Sequence, residues 1–241
     1  MQAKVNINLD KPLELPINYN HILQAILYNA ISAMPHYMEF LHDIGFSNGE
    51  QSFKMFNFSQ LRGRYEVVDK HIIFTDKVSF DVRSPDALMI HIISRYLSYY
   101  GVTFGEHTYR NVHTKINDFT VEDNELHIKM ISPTVTFVKD PQTGFAHFYS
   151  PFDEEFYEVI QENFIRKYEA FYDVTPSSRI ELELCGEREP RKVVTKYQGT
   201  MLNAWYGEYI IRGERKYLDF LYQTGLGARN AQGFGMFKII E

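Results

Sequence analysis

Stretches that alternate apolar and polar residues, and stretches with apolar residues every three to four positions, follow one another in the same order twice along this chain. In the first half "AKVNINLD" places Val5, Ile7 and Leu9 on one face, as a half-buried strand requires. "NYNHILQAILYNAIS" then carries Ile22, Leu23, Ile26, Leu27, Ala30 and Ile31 at helical spacing, after Asn18 and Asn20, either of which can serve as N-cap. Strand-like "FKMFNFSQL", "HIIFT" and "KVSFDVR" follow. "PDALMIHIISRYLSYYG" is a helix with Pro85 near its start and Gly101 past its end, and "NVHTKINDFTV" is a further strand. "MPHYMEFLHDI" adds a short helix.

The second half repeats the order. "LHIKMISPTVTFV" is strand-like, "PFDEEFYEVIQENFIRKYEAFYD" is a long helix, and "RIELELCG", "KVVTKYQG" and "AWYGEYIIRG" are strands. "KYLDFLYQTG" is a short helix ending at Gly225, before a last strand in "FGMFKII". This order predicts an α+β fold of two tandem ferredoxin-like (RRM-like) domains, residues 1–124 and 125–241, with a glycine-rich loop near the C-terminus. No residue-level repeat accompanies it, so the expectation rests on element order alone. Folds of this kind often present a sheet to RNA, but fold does not assign function.

Composition narrows the classes. At 241 residues with 44% hydrophobic content the chain can bury real cores. It has no apolar run of membrane-spanning length, and its opening residues alternate instead of forming a secretory signal, so a cytoplasmic protein without a membrane partner is expected. The single Cys185 permits neither an intramolecular disulfide nor a cysteine-based zinc site. His107 and His113 are the nearest candidates for a metal, but their spacing fits no ligand pattern, and none is expected. Net charge is −6, yet residues 186–241 hold nine Lys/Arg against six acids, a net of +3, which leaves −9 for the rest. Basic charge is thus concentrated where the glycines lie.

Those glycines, in "GLGARNAQGFGMFKII", are spaced Gly225, Gly227, Gly233 and Gly235, with Arg229 and Asn230 among them. The spacing is neither a dinucleotide fingerprint nor a P-loop. Without Cβ atoms the backbone amides can form a nest for a phosphate, with Arg229 adding charge. A glycine-rich turn before an edge strand accounts for the composition equally well. Arg188, Arg191, Lys192 and Lys196 are further candidates for phosphate contacts. Tyr197, Trp205 and Tyr206 could stack on unpaired bases or belong to the core.

"GLGARNAQGFGMFKI" resembles the C-terminal glycine-rich loop of the RAMP superfamily of CRISPR systems. "LPINYNHILQAILYNAI", "FLHDIGF", "FKMFNFSQL" and "SPTVTF" resemble, in order, the CRISPR-associated endoribonuclease that cuts precursor CRISPR RNA within its repeats. The resemblance covers essentially the whole chain. It implies cleavage without metal or other cofactor, in which the ribose 2′-hydroxyl attacks the adjacent phosphate and leaves 2′,3′-cyclic phosphate and 5′-hydroxyl ends. It also implies a catalytic tyrosine, histidine and lysine, which fall on Tyr28 in "LYNAI", His42 in "LHDIGF" and Lys54 in "FKMF". The implied partner is CRISPR repeat RNA, with a homodimer or effector-complex proteins as further partners.

The residues can be weighed apart from the resemblance. On a helical wheel Tyr28 falls opposite the apolar stripe, so it faces away from its own core toward substrate or a second domain. His42 lies beside the line Met34, Met38, Leu41 and Ile44, where a packed structural histidine competes with a proton-transfer role. Lys54 can steady a phosphorane or stand in solvent. The alternative reading is a non-catalytic RAMP subunit that binds CRISPR RNA in an effector complex. A weaker alternative is an RNA-binding module unrelated to CRISPR.

Overall fold

The structure, a computed structural model, describes residues 1–41, 45–49, 51–197 and 199–240. Alternation in Gln2–Asn8 turns Ala3, Val5 and Ile7 inward, each fully buried. That strand is flanked by Val112–Asn117 on one side and by the long strand His71–Arg83 on the other, all antiparallel. Arg62–Val68, Leu13–Pro16 and Asn57–Phe58 pair with His71–Arg83 as well. Helix α1 (Asn20–Ile31) buries Leu23, Ile26, Leu27, Ala30 and Ile31. A short α2 (Pro35–Glu39) follows, and α3 (Ala87–Tyr100) buries Met89, Ile90, Ile93 and Leu97 in the same core.

A second antiparallel sheet runs in the order Glu181–Cys185, Glu208–Arg212, Glu125–Met130, Phe237–Ile239. Its core joins Leu126, Ile128 and Ile211 to Phe156 and Phe164 of α4 (Glu154–Tyr172) and Leu218 and Leu221 of α5 (Arg215–Thr224). The molecule is therefore mixed α/β, with antiparallel sheets and few helices.

Three sequence expectations change. Neither Asn18 nor Asn20 caps α1, whose N-cap is Tyr19 without a side-chain bond. Both asparagines serve tertiary contacts instead: Asn18 accepts from Thr195, and Asn20 donates to the carbonyls of Gln232 and Gly233. "HIIFT" and "KVSFDVR" form one strand, whose hairpin partner Arg62–Val68 escaped the pattern because all seven of its residues are exposed, leaving no apolar alternation to read. "AWYGEYIIRG" is divided at Gly207. Thr200–Tyr206 pairs with Arg191–Tyr197, and Glu208–Arg212 enters the second sheet. A Cβ at Gly207 would stand 2.8 Å from the Tyr209 hydroxyl, so this bend requires a glycine.

The two sheets are joined by buried polar groups. Arg83 is almost wholly buried, donates to Gln2 (2.8 Å) and to the carbonyl of Phe237 (2.7 Å), and lies 3.7 Å above the Tyr222 ring. Burial lowers its pKa, and the ring face and carbonyl oxygens offset part of the lost hydration.

Candidate functional site

Between α1, α4 and the glycine loop lies a cleft of about 860 Å³. Tyr28 enters it from α1, Lys54 from the segment after Ser52–Phe53, and Arg166 and Lys167 from α4. Gly227, Arg229 and Asn230 close one side. Residues distant in sequence thus share one cavity.

The loop is a built wall. All four glycines have positive φ, between +65° and +85°, and a Cβ on Gly227 or Gly233 would stand 2.6 Å from the Val135 oxygen or 2.7 Å from the Phe58 ring. The amides of Gly225, Gly233 and Gly235 donate to the carbonyls of Leu221, Asn230 and Pro133. These three are consumed by the fold and do not face a ligand, which narrows the nest reading. Asn230 reaches across the loop to the carbonyls of Leu226 (3.0 Å) and Phe234 (3.1 Å). Arg229, itself left-handed at φ 64°, sits 5.5 Å over the Phe137 ring and supplies the loop's charge to the cleft.

Lys167 was not singled out from sequence. It is buried, with its ammonium donating to the Gly225 carbonyl (2.6 Å) and to Asn230 Oδ1 (3.1 Å), and desolvation pulls its pKa down to about 7. A signal was available: three residues after Phe164 and beside Tyr168, it sits in the apolar stripe of α4. Gln24 was missed too. One turn before Tyr28, it donates to the Ala231 carbonyl (2.7 Å) and accepts from the Tyr197 hydroxyl. A lone exposed-looking glutamine carries no pattern that announces such a bridge.

Tyr28 is half-buried, edge-on to Phe56 at 5.9 Å, and burial raises its pKa, so the phenol stays protonated at neutral pH. The Lys54 ammonium donates to the Leu41 carbonyl. His42, the next residue in the chain, lies outside the described residues. Tyr197 is buried, and desolvation, with Tyr28 nearby, pushes its hydroxyl up to about 12.

The other basic candidates lie elsewhere. Arg188, Arg191, Lys192 and Lys196 are exposed, the last three on the hairpin Arg191–Tyr197/Thr200–Tyr206, and none lines the cleft. Arg191 lies 4.5 Å over Tyr206 and Lys192 5.9 Å over Trp205, so these rings are covered by their own cations. His107 is paired with Asp10 at 2.8 Å.

Two large antiparallel sheets, several hairpins and a cleft walled by a glycine loop make this a mixed α/β protein. Residues 114–239, just over half of the chain, match the family model "CRISPR associated protein Cas6, C-terminal", and the chain belongs to that family. It is 27% identical over 252 residues to CRISPR-associated endoribonuclease Cas6 1 of Methanocaldococcus jannaschii, covering all of this chain and 93% of that protein. It is 24% identical to CRISPR-associated endoribonuclease Cas6 of Pyrococcus furiosus, over 95% of this chain and 85% of that one. Among solved structures, a CRISPR associated protein Cas6 superposes with TM-score 0.76 at 25% identity, over 100% and 99% of the two chains.

Proposed function

We propose that this protein is an endoribonuclease that cuts precursor CRISPR RNA within its repeats, using the ribose 2′-hydroxyl as nucleophile. The observation that carries this reading is that Tyr28 and Lys54 line the same cleft as Arg229 and Asn230 of the glycine loop. Each half is read as a ferredoxin-like domain, 1–124 and 125–241, since strand–helix–strand–strand–helix–strand order recurs with matching antiparallel neighbours.

In the reaction the 2′-oxygen attacks phosphorus, the bond to the 5′-oxygen breaks, and the products are a 2′,3′-cyclic phosphate and a 5′-hydroxyl. The nucleophile belongs to the substrate, so the protein has to align three atoms in line and manage two protons. A protonated Tyr28 is suited to donate a hydrogen bond that orients the 2′-oxygen or the phosphate, and unsuited to act as a phenolate base. Lys54 neutralises charge gathering on the phosphate. His42 moves a proton at the 2′-oxygen or the leaving 5′-oxygen. The Lys54 bond to Leu41 ties that lysine to the residue preceding His42. Arg229 and the exposed hairpin cations contact the RNA backbone. Association as a homodimer or with effector-complex proteins is compatible with this reading.

Cleavage of the cognate repeat RNA in EDTA tests it. Wild type cuts, His42→Ala and Tyr28→Phe slow cutting by roughly 10²- to 10⁴-fold, and a 2′-deoxy substitution at the cut site abolishes it. Tight binding without cutting by wild type would favour the non-catalytic RNA-binding subunit instead.

A further inference from the structure

The outer face of α3 is left uncovered. Leu88, His91, Arg95 and Tyr99 recur there at helical spacing, and with Met34 and Tyr100 they line a groove of about 610 Å³. Tyr99 is 78% exposed and Tyr100 53% exposed, unusual for large rings with no function. The rings form a cluster: Tyr96 and Tyr100 lie 4.7 Å apart with their planes tilted by 39°, and Tyr99 stands edge-on to Tyr100 at 4.8 Å. A smaller recess of about 280 Å³ adjoins the groove and shares Tyr96 and Tyr100 with it.

Charge selects the occupant. Among the described residues neither recess is lined by an acid, although the first 185 residues carry a net charge of −9. Among the described residues Arg95 and His91 pair with no carboxylate. Exposed rings beside a guanidinium with no carboxylate partner among the described residues suit a single-stranded nucleic acid, whose bases stack and whose phosphates need a cation. An apolar protein partner would not need the cation.

Position links this face to the cleft. Helix α1 is the partition between them: Gln24 and Tyr28 line the cleft, while the next residues along, Ala25 and Asn29, line the smaller recess. RNA leaving the cleft over α1 therefore reaches the tyrosines directly.

We infer that the α3 groove binds unpaired nucleotides adjoining the segment held in the cleft, with Tyr96, Tyr99 and Tyr100 stacking on bases and Arg95 contacting phosphate. This rests on the reading of the protein as a repeat-RNA nuclease.

The test compares repeat RNA alone with the same RNA carrying an unpaired oligouridine tail on its 5′ or its 3′ side, by fluorescence anisotropy. One tail should tighten binding to wild type. The double variant Tyr99→Ala/Tyr100→Ala should lose that gain, roughly ten- to a hundredfold, while binding the tailless repeat as wild type does. Tyr99→Phe/Tyr100→Phe should keep the gain, because stacking needs the ring and not the hydroxyl. Arg95→Ala should lower the salt slope for tailed RNA by about one. Tails that add nothing in wild type, or a double alanine variant that keeps the gain, would overturn the groove while leaving the nuclease reading intact. Loss of self-association in the double variant, with the tail's effect unchanged, would make the face a protein interface and also overturn it. Failure of wild type to bind either RNA would sink both readings.

Discussion

The glycine loop and the basic hairpin, close in sequence and alike in charge, are opposite kinds of surface. In the loop every glycine is compelled: φ is positive, and any Cβ at Gly225, Gly227, Gly233 or Gly235 meets protein within van der Waals distance. Its polar groups are turned inward onto Asn230, Lys167, Asn20 and Gln24. In the hairpin Gly199 also has positive φ, yet a Cβ there would meet nothing within 4 Å, and Arg191, Lys192 and Lys196 are exposed. The loop is a rigid wall that presents one cation, Arg229, at a set place. The hairpin is a solvated arm whose cations act by charge more than by position.

This contrast breaks or holds at measurable points. The largest effect should come from Gly235→Ala, whose new methyl would overlap the Leu226 carbonyl in a left-handed conformation. It should cost at least about 2 kcal/mol, lowering Tm by several degrees in calorimetry. Gly199→Ala should cost only the backbone term of about 1 kcal/mol. Equal losses in the two variants would show that the loop is no more constrained than the arm.

Next comes Lys167. Its pKa falls from an ordinary lysine value to about 7 in the folded chain, so between about pH 7 and 10.5 the unfolded chain binds more protons and stability rises with pH. Lys167→Met should flatten that rise in denaturant titrations across the same window. An unchanged slope would mean that the lysine remains charged within the loop's hydrogen bonds.

The smallest effect belongs to the arm. Arg191→Ala and Lys192→Ala should each weaken repeat-RNA binding modestly and reduce the salt slope by about one apiece. Arg229→Ala should instead reduce the cleavage rate at saturating RNA, because its cation faces the cleft. Similar behaviour of all three would erase the distinction.

Much of the fold was legible because most elements bury one face. The stripe in α1 and the alternation in Gln2–Asn8 are direct readings of what each element packs against. Arg62–Val68 left no such trace: its pairing is made by backbone atoms, and its side chains are all exposed. The caps of α1 misled for a related reason, since Asn18 and Asn20 are good capping residues that tertiary partners recruited. Tyr28 could be placed off the apolar stripe from sequence and does line the cleft, but it does not face away from its own core: it packs against it, edge-on to the buried Phe56. The amides of Gly225, Gly233 and Gly235 looked like an anion nest only because sequence shows glycines and not where their N–H groups point.

By itself the sequence determined the order and type of most elements and the apolar faces they bury, because these follow from local sterics and from the burial of one face per element. Tertiary structure alone decided that Tyr28, Lys54 and Arg229 share a cavity, with Lys167 among the residues that line it. It also decided that the other side of α1 leads to an uncovered tyrosine groove. Those facts depend on how the two packed sheets dock, through dispersed polar contacts such as Arg83 to Phe237 and Gln24 to Ala231 and through apolar ones such as Phe46 to Phe171, which have no period and so leave no pattern along the chain.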